Sequence, residues 1–481
     1  MSFHSLEYAI FFTIVFLVFW GLHRFGMAKI LFIIAASWFF YAASNPWFLV
    51  ILLCSTIVDY LVALRLDASD DPRRRKAWLL LSIASNLGLL SVFKYSNFFK
   101  ETAVAIGGLF GSDATFQAWD IVLPAGISFY TFMSLSYTVD VYKRQMPVER
   151  SFLRFTFFIA FFPHLVAGPI LRASNFLPQI HRPSFVSRLQ ASRALWLIAL
   201  GIVKKVVVAD VLATNVVERV WADPSLVSSA DVLVGLYAFT AHIYLDFSAY
   251  SDIAIGSALL LGFHLPDNFD RPYQATTCSE FWRRWHMTMS SFLRDYVYYP
   301  LGGSRGSEFK VYRNLFITFL LIGLWHGANW NFAIYGAGNA IAVCVNRWFR
   351  KRRGDRDLEL DTWGVVWRVF LTFNFVVFMR ILFKSAAPGT SSDQAIHKAG
   401  DIVSRLFDGQ YGHVTVMTTW LWILLIGSFV VHWTPRRWVE ATWLGFRRLP
   451  LVAQGAIVAA LALVIAVTAD GRPLPPVYQA F

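Results

Sequence analysis

The chain has 481 residues, of which 57% are hydrophobic and 17% aromatic while only 15% are charged. A soluble domain carries roughly 25% charged residues, so this much apolar surface cannot be hidden in one water-soluble core, and a polytopic membrane protein is the class that remains. The formal net charge of +13 does not point to nucleic acid. Lys and Arg gather in short loops between apolar runs (Arg73 to Lys76, Arg350 to Arg353, Arg436-Arg437, Arg447-Arg448), as the positive-inside rule expects of cytoplasmic loops.

A spanning helix needs about 20 apolar residues, and the chain offers roughly ten to twelve candidates. The first run, 8–20, has no small-residue cleavage site and is expected to stay as a retained helix. Runs 28–43 and 46–66 are separated by Ser44-Asn45-Pro46, a turn signal. A polar, Arg-ended loop at 67–76 leads to run 77–93, and the Gly-containing stretch 107–120 reads as a connection outside the hydrocarbon. Another apolar stretch opens at 123–130 and ends near Asp140. In 152–170, Pro163, Gly168 and Pro169 interrupt apolar sequence and predict a broken or re-entrant helix. Such backbone survives at membrane depth only where protein or a cavity satisfies it.

Run 192–210 contains Lys204-Lys205, for which the sequence alone offers no account. Run 233–261 carries Asp246 and Asp252, six residues apart and so about 600° around a helix. They sit on different sides, and the expectation is that they pair with Arg or cap an internal break. Runs 315–324 and 332–345 bracket 325–331, and a basic loop follows. Runs 365–383, 418–431 and 451–467 precede a polar, Pro-rich tail at 469–481, expected outside the cytoplasm if the Arg436–Arg448 loop is inside. The fold class is therefore all-α, with residues 1–481 forming a single membrane domain.

The stretch 268–331 is organised differently. It holds Phe281-Trp282-Arg283-Arg284-Trp285-His286, then Pro300-Leu301-Gly302-Gly303, and Leu324-Trp325-His326-Gly327-Ala328-Asn329. Polar groups kept at membrane depth cost free energy and mark function. Of the eleven histidines, His164 and His242 read as hydrogen-bonded structural groups within spans. His326 reads as a catalyst: Gly327 and Ala328 allow close approach, and Asn329 is a candidate orienter. An imidazole can take a proton from an alcohol near neutral pH. His286 either shares the chemistry or orients the site. The forty-residue gap does not say whether the two meet.

Metal chemistry has no support. There is no His-Glu-x-x-His, and Cys54, Cys278 and Cys344 lack ligand or disulfide spacing. Gly302 to Gly306 lacks the Lys-Ser/Thr ending of a phosphate loop. No tightly bound cofactor is expected. Arg283, Arg284 and Arg305 either hold phosphates of an acyl carrier or anchor the chain at the interface.

Taken together, 123–142 (LPAGISFYTFMSLSYTVDVY), 162–172 (FPHLVAGPILR), 244–256 (YLDFSAYSDIAIG), 268–303 and 323–329 (GLWHGAN) resemble the membrane-bound O-acyltransferase family, in its bacterial branch of alginate O-acetyltransferase membrane subunits. The resemblance implies a ring of roughly ten to twelve tilted transmembrane helices, with re-entrant or broken helices around a central funnel. It assigns catalysis to His326, in the Trp-His-Gly motif, and a second role to His286, in the Phe-Trp-x-x-Trp-His motif. It further implies an acyl thioester co-substrate (acetyl-CoA or an acyl carrier), a polysaccharide acceptor, the bacterial inner membrane, and extracytoplasmic acetyltransferases or accessory proteins as partners. Trp282, Trp285 and Trp325 would wall the chamber or pack at the interface, with Asn329 and Arg283 as further substrate contacts. Ala249 stands where alginate-type relatives often carry Gly, and 377–383 lacks their Trp. Direct transfer and an acyl-enzyme step are both open, as is the acceptor: alginate, cellulose, peptidoglycan, or teichoic acid with D-alanine. A transporter or scaffold without chemistry is the rival from another class.

Overall fold

The computed structural model describes residues 3, 5–112, 114–354, 361–387, 389–409 and 411–468, and every regular element among them is helical. The tail 469–481 lies outside the described residues. Helices begin where the local chemistry dictates. Asn45 caps Pro46–Asp67 by accepting from the Trp47 amide, and Asp71 caps Pro72 onward by accepting from Arg73. Both are followed by proline at the first helical position, where a missing N–H costs nothing.

Among the described residues, four helices are long and apolar enough to cross a membrane: Pro46–Asp67, Pro72–Leu109, Ser229–Leu260 and Thr362–Ser385. A fifth joins them if Arg436–Arg448 and Leu451–Leu463, bent by 111°, count as one span. Leu6–Gly21, Gly26–Ala42 and Thr419–Trp433 are apolar but shorter. At 1.5 Å per residue, a 16-residue helix such as Leu6–Gly21 reaches only about 24 Å, less than a typical hydrocarbon core of about 30 Å. The Pro72–Leu109 helix is continuous through 91–95, where one π-helical turn places Lys94 and Tyr95. It runs beyond both ends of the expected 77–93.

Ile127–Tyr142 lies at the centre, with 13 of its 16 residues buried, and packs against Pro46–Asp67 and the helix beginning at Pro72. It starts at Gly126, whose φ is +73°. A Cβ there would stand 2.4 Å from the Leu165 carbonyl. Leu165 belongs to the interrupted segment, which is broken as expected. Phe152–Ala160 stops at Phe161, one helical turn follows at Phe162–Leu165, and irregular backbone leads to Ala173–Ile180. Residues 155–171 are all buried. Side chains supply the partners that a helix would have supplied: Phe162 N–H donates to Ser37 Oγ at 3.2 Å and Ile170 N–H to Thr288 Oγ1 at 3.0 Å.

The two lysines left unexplained by sequence find their account here. Arg188–Ile202 continues into a π-helical segment, Val203–Ala209, packed along Ser229–Leu260. Lys204 Nζ meets Asp252 at 2.7 Å, while Lys205 Nζ meets Asp246 at 2.6 Å and Asp210 at 2.7 Å. The carboxylates thus pair with lysine rather than arginine, and Ser229–Leu260 runs without an internal break. Intrahelical bonds already satisfy the backbone there, so the aspartates have no helix end to cap.

Candidate active site

His326 is the last residue of Glu308–His326. That end is held from the π-turn of the neighbouring helix: Lys94 Nζ donates to the Trp325 carbonyl at 2.6 Å, and Tyr95 OH to the Leu324 carbonyl at 2.9 Å. These are orphan carbonyls of a helix C-terminus, and two half-buried donors satisfy them. The chain then turns at Gly327, where a Cβ would stand 2.1 Å from the Phe332 ring. Glycine is required there because the ring, itself packed 6.4 Å from the His326 imidazole, occupies the space. Asn329 caps Trp330–Arg352 by accepting from the Asn331 amide, and its own amide donates to the Thr390 carbonyl.

His286 sits between two short helices, Cys278–Arg284 and Met287–Leu293, in the left-handed region (φ 43°, ψ 55°). A non-glycine residue is seldom found there, and such residues concentrate at functional sites. Its Nδ1 lies 3.1 Å from Asn268 Oδ1. Thr288 Oγ1 accepts from the Ile170 amide and so turns its hydroxyl proton towards Asn268 Oδ1, 2.9 Å away. Asn268 Oδ1 is therefore the acceptor in both contacts. The neutral imidazole carries its proton on Nδ1 and presents Nε2 as a base.

The structure brings the two histidines together around one indole. The Trp325 ring centroid lies 5.5 Å from His286 and 5.1 Å from His326. Both imidazoles are buried, at 0% and 2% exposure. Phe247 and Phe129 cover His286, and Phe383 and Tyr335 flank His326. A narrow cavity of about 30 Å³, lined by Lys94, residues 123–129, Trp325 and His326, reaches this centre. It has room for a water-sized group.

The remaining expected site residues are placed apart. Trp285 packs against Phe269 and Phe281 one layer away. Trp282 donates its indole N–H to Asn339 Oδ1 at 3.1 Å and packs on Phe319. Arg283 is exposed and lines a separate cavity of about 700 Å³ together with Arg347, Arg350, Arg353 and Arg368. Sequence reasoning missed three residues. Asn268 carries no local signal. Lys94 and Arg380 do, since each is a charge inside or beside an apolar run. The Arg380 guanidinium, fully buried, lies 4.5 Å from the Trp285 ring and 5.7 Å from the Phe383 ring that touches His326.

The chain is 39% identical over 359 residues to a probable alginate O-acetylase of Pseudomonas aeruginosa, covering 74% of this chain and 66% of that protein. It is 38% identical to a probable alginate O-acetylase of Azotobacter vinelandii, covering 76% of this chain and 74% of that one. It is also 32% identical to a peptidoglycan O-acetyltransferase of Helicobacter pylori, over 74% and 71% of the two chains. The family model of the membrane-bound O-acyltransferases matches residues 30–383, which include Asn268, His286 and His326, and the chain belongs to that family as a multi-pass membrane protein.

Proposed function

We propose that the protein moves an acetyl group from a cytoplasmic thioester donor across the membrane for O-acetylation of an exported, alginate-type polysaccharide. The observation that carries this reading is the pair of buried imidazoles on Trp325, one of them with its base nitrogen set by Asn268. His326 takes the proton from an acceptor hydroxyl, or from a relay nucleophile that passes the acetyl on, as that atom attacks the thioester carbonyl; the C–S bond breaks, and the imidazolium returns the proton to the departing sulfur, which leaves as a thiol. His286 orients or shares that proton. A water-excluding shell of aromatic rings strengthens such proton and charge interactions and suppresses hydrolysis.

The five arginines around the 700 Å³ cavity fit the phosphates of acetyl-CoA or a phosphopantetheine carrier, because guanidinium groups bind phosphate bidentately. Residues 1–481 act as one membrane domain in the bacterial inner membrane, with broken helices around a funnel in a ring of roughly ten to twelve tilted helices. Extracytoplasmic acetyltransferases or accessory proteins receive the acyl group. Peptidoglycan is the second acceptor reading, favoured by the relative named for it.

The test is ester-linked acetyl on the exported polysaccharide, comparing wild type with His326→Ala at matched membrane abundance. Loss of acetyl with polymer yield intact is the expected result. Unchanged acetyl removes His326 from the chemistry, and loss of polymer itself favours transport. Acetyl on muramic residues instead of the exopolymer moves the acceptor to peptidoglycan.

A further inference from the structure

Away from the histidines, helices Leu6–Gly21, Arg188–Ile202, Ser229–Leu260 and Leu451–Thr468 enclose an apolar groove of about 740 Å³. Leu6, Ile198, Ile253 and Val458 are among its walls. None of the residues that surround His286 or His326 lines it. A second cavity of about 430 Å³ is lined by Arg188, Leu189, Ser192, Arg447 and Arg448. Residues that line the two adjoin in the sequence. Ala191 walls the groove and Ser192 the polar cavity, while Arg447-Arg448 closes one helix three residues before Leu451 begins the next groove wall.

The element carrying Arg447 and Arg448 is itself built for a membrane surface. Arg436–Arg448 turns by 111° from the following apolar helix and is amphipathic. It packs Phe446 and Trp443 on Trp196, and Arg193 lies over Trp443. A helix lying in the interfacial plane, with aromatic residues on one side and arginines on the other, holds its cations at headgroup depth. Among the described residues no carboxylate forms an ion pair with Arg188, Arg447 or Arg448. Ser192, 1% exposed, lines the same cavity, and its hydroxyl has no hydrogen-bond partner among the described residues. The first turns of Arg188–Ile202 and Leu451–Thr468 add their positive dipole ends at that place.

We propose that this is a binding site for an anionic phospholipid, with an acyl chain in the groove and the phosphate held by Arg188, Arg447, Arg448 and the Ser192 hydroxyl. An apolar slot of about 740 Å³, with three cations and a buried donor lining a cavity that adjoins it along the chain, matches that amphiphile. A zwitterionic lipid would set a quaternary ammonium cation beside the arginines and cancel the charge of its phosphate, and a free phosphate would leave the slot unfilled. The site is independent of the acyl-transfer reading.

The experiment is native mass spectrometry of the purified full chain, exchanged into detergent with phosphatidylglycerol or phosphatidylcholine of identical acyl chains. Wild type is expected to retain phosphatidylglycerol preferentially. Inorganic phosphate at millimolar concentration is expected not to displace it. The Arg447→Gln/Arg448→Gln variant is expected to lose about thirtyfold in phosphatidylglycerol retention, from the loss of two cations at the lipid surface, with helix content unchanged. Gly455 lines the groove with nothing within 4 Å of where its Cβ would stand, so Gly455→Leu intrudes on the slot and is expected to weaken retention by a separate route. Equal retention of the two lipids by wild type, which needs no variant to fold, overturns the headgroup assignment. Displacement by inorganic phosphate reduces the site to a free-anion site and overturns the lipid. Retention unchanged in the folded arginine variant overturns it as well.

Discussion

Lys205 offers the sharpest test of how this membrane core tolerates charge. Its side chain is 3% exposed and meets Asp246, at 1%, and Asp210, at 16%. Two unit charges near contact attract by about 4 kcal/mol at an effective dielectric of 20. Burying each ion costs several kcal/mol, so the intact pair sits near balance. Lys205→Met removes the attraction but leaves Asp246 buried, and the expected loss of stability is about 3–5 kcal/mol. Asp210 keeps some access to water and contributes less. Adding Asp246→Leu removes the buried carboxylate, so the double variant should recover about 2 kcal/mol or more of that loss. The assay is unfolding of the detergent-solubilised protein, followed by the intensity of its folded peak in size-exclusion chromatography as temperature or denaturing detergent rises. Strict additivity, with the double variant as unstable as the sum of the singles, would refute the reasoning.

Other consequences follow from particular contacts. Asn268→Leu removes the acceptor of both His286 and Thr288; acetyl transfer should fall about tenfold or more, and equal transfer at matched abundance would detach His286 from the reaction. Gly327→Ala forces a methyl against the Phe332 ring, which is 1% exposed. It should cost about 1–3 kcal/mol by overpacking, and Phe332→Leu in the same chain should restore much of the thermal midpoint. Arg283→Gln should raise the KM for acetyl-CoA about tenfold in reconstituted vesicles while sparing kcat, since a charge-assisted bond to phosphate is lost. An unchanged KM would remove the arginine-lined cavity from donor binding.

Local features were legible from neighbouring residues alone. Asn45-Pro46 marks a helix start because cap and first-turn chemistry act within three residues, whereas Asp71-Pro72 starts a helix by the same chemistry inside the stretch 67–76 expected to be a loop. Pro163, Gly168 and Pro169 mark the interrupted segment because proline lacks an amide proton wherever it stands. The motif around His326 announced itself by composition. What partners each buried polar group found was a matter of tertiary packing. Lys204 and Lys205 are explained only by aspartates some forty residues away, brought alongside when two helices pack. Asn268 is an ordinary loop residue until Thr288 and the Ile170 amide fix its orientation towards His286. Chain neighbours decide helix starts and breaks, because those depend on a single backbone's hydrogen bonds. The meeting of His286, Trp325 and His326 required the packed fold, because a buried contact is set by which surfaces exclude lipid and water together.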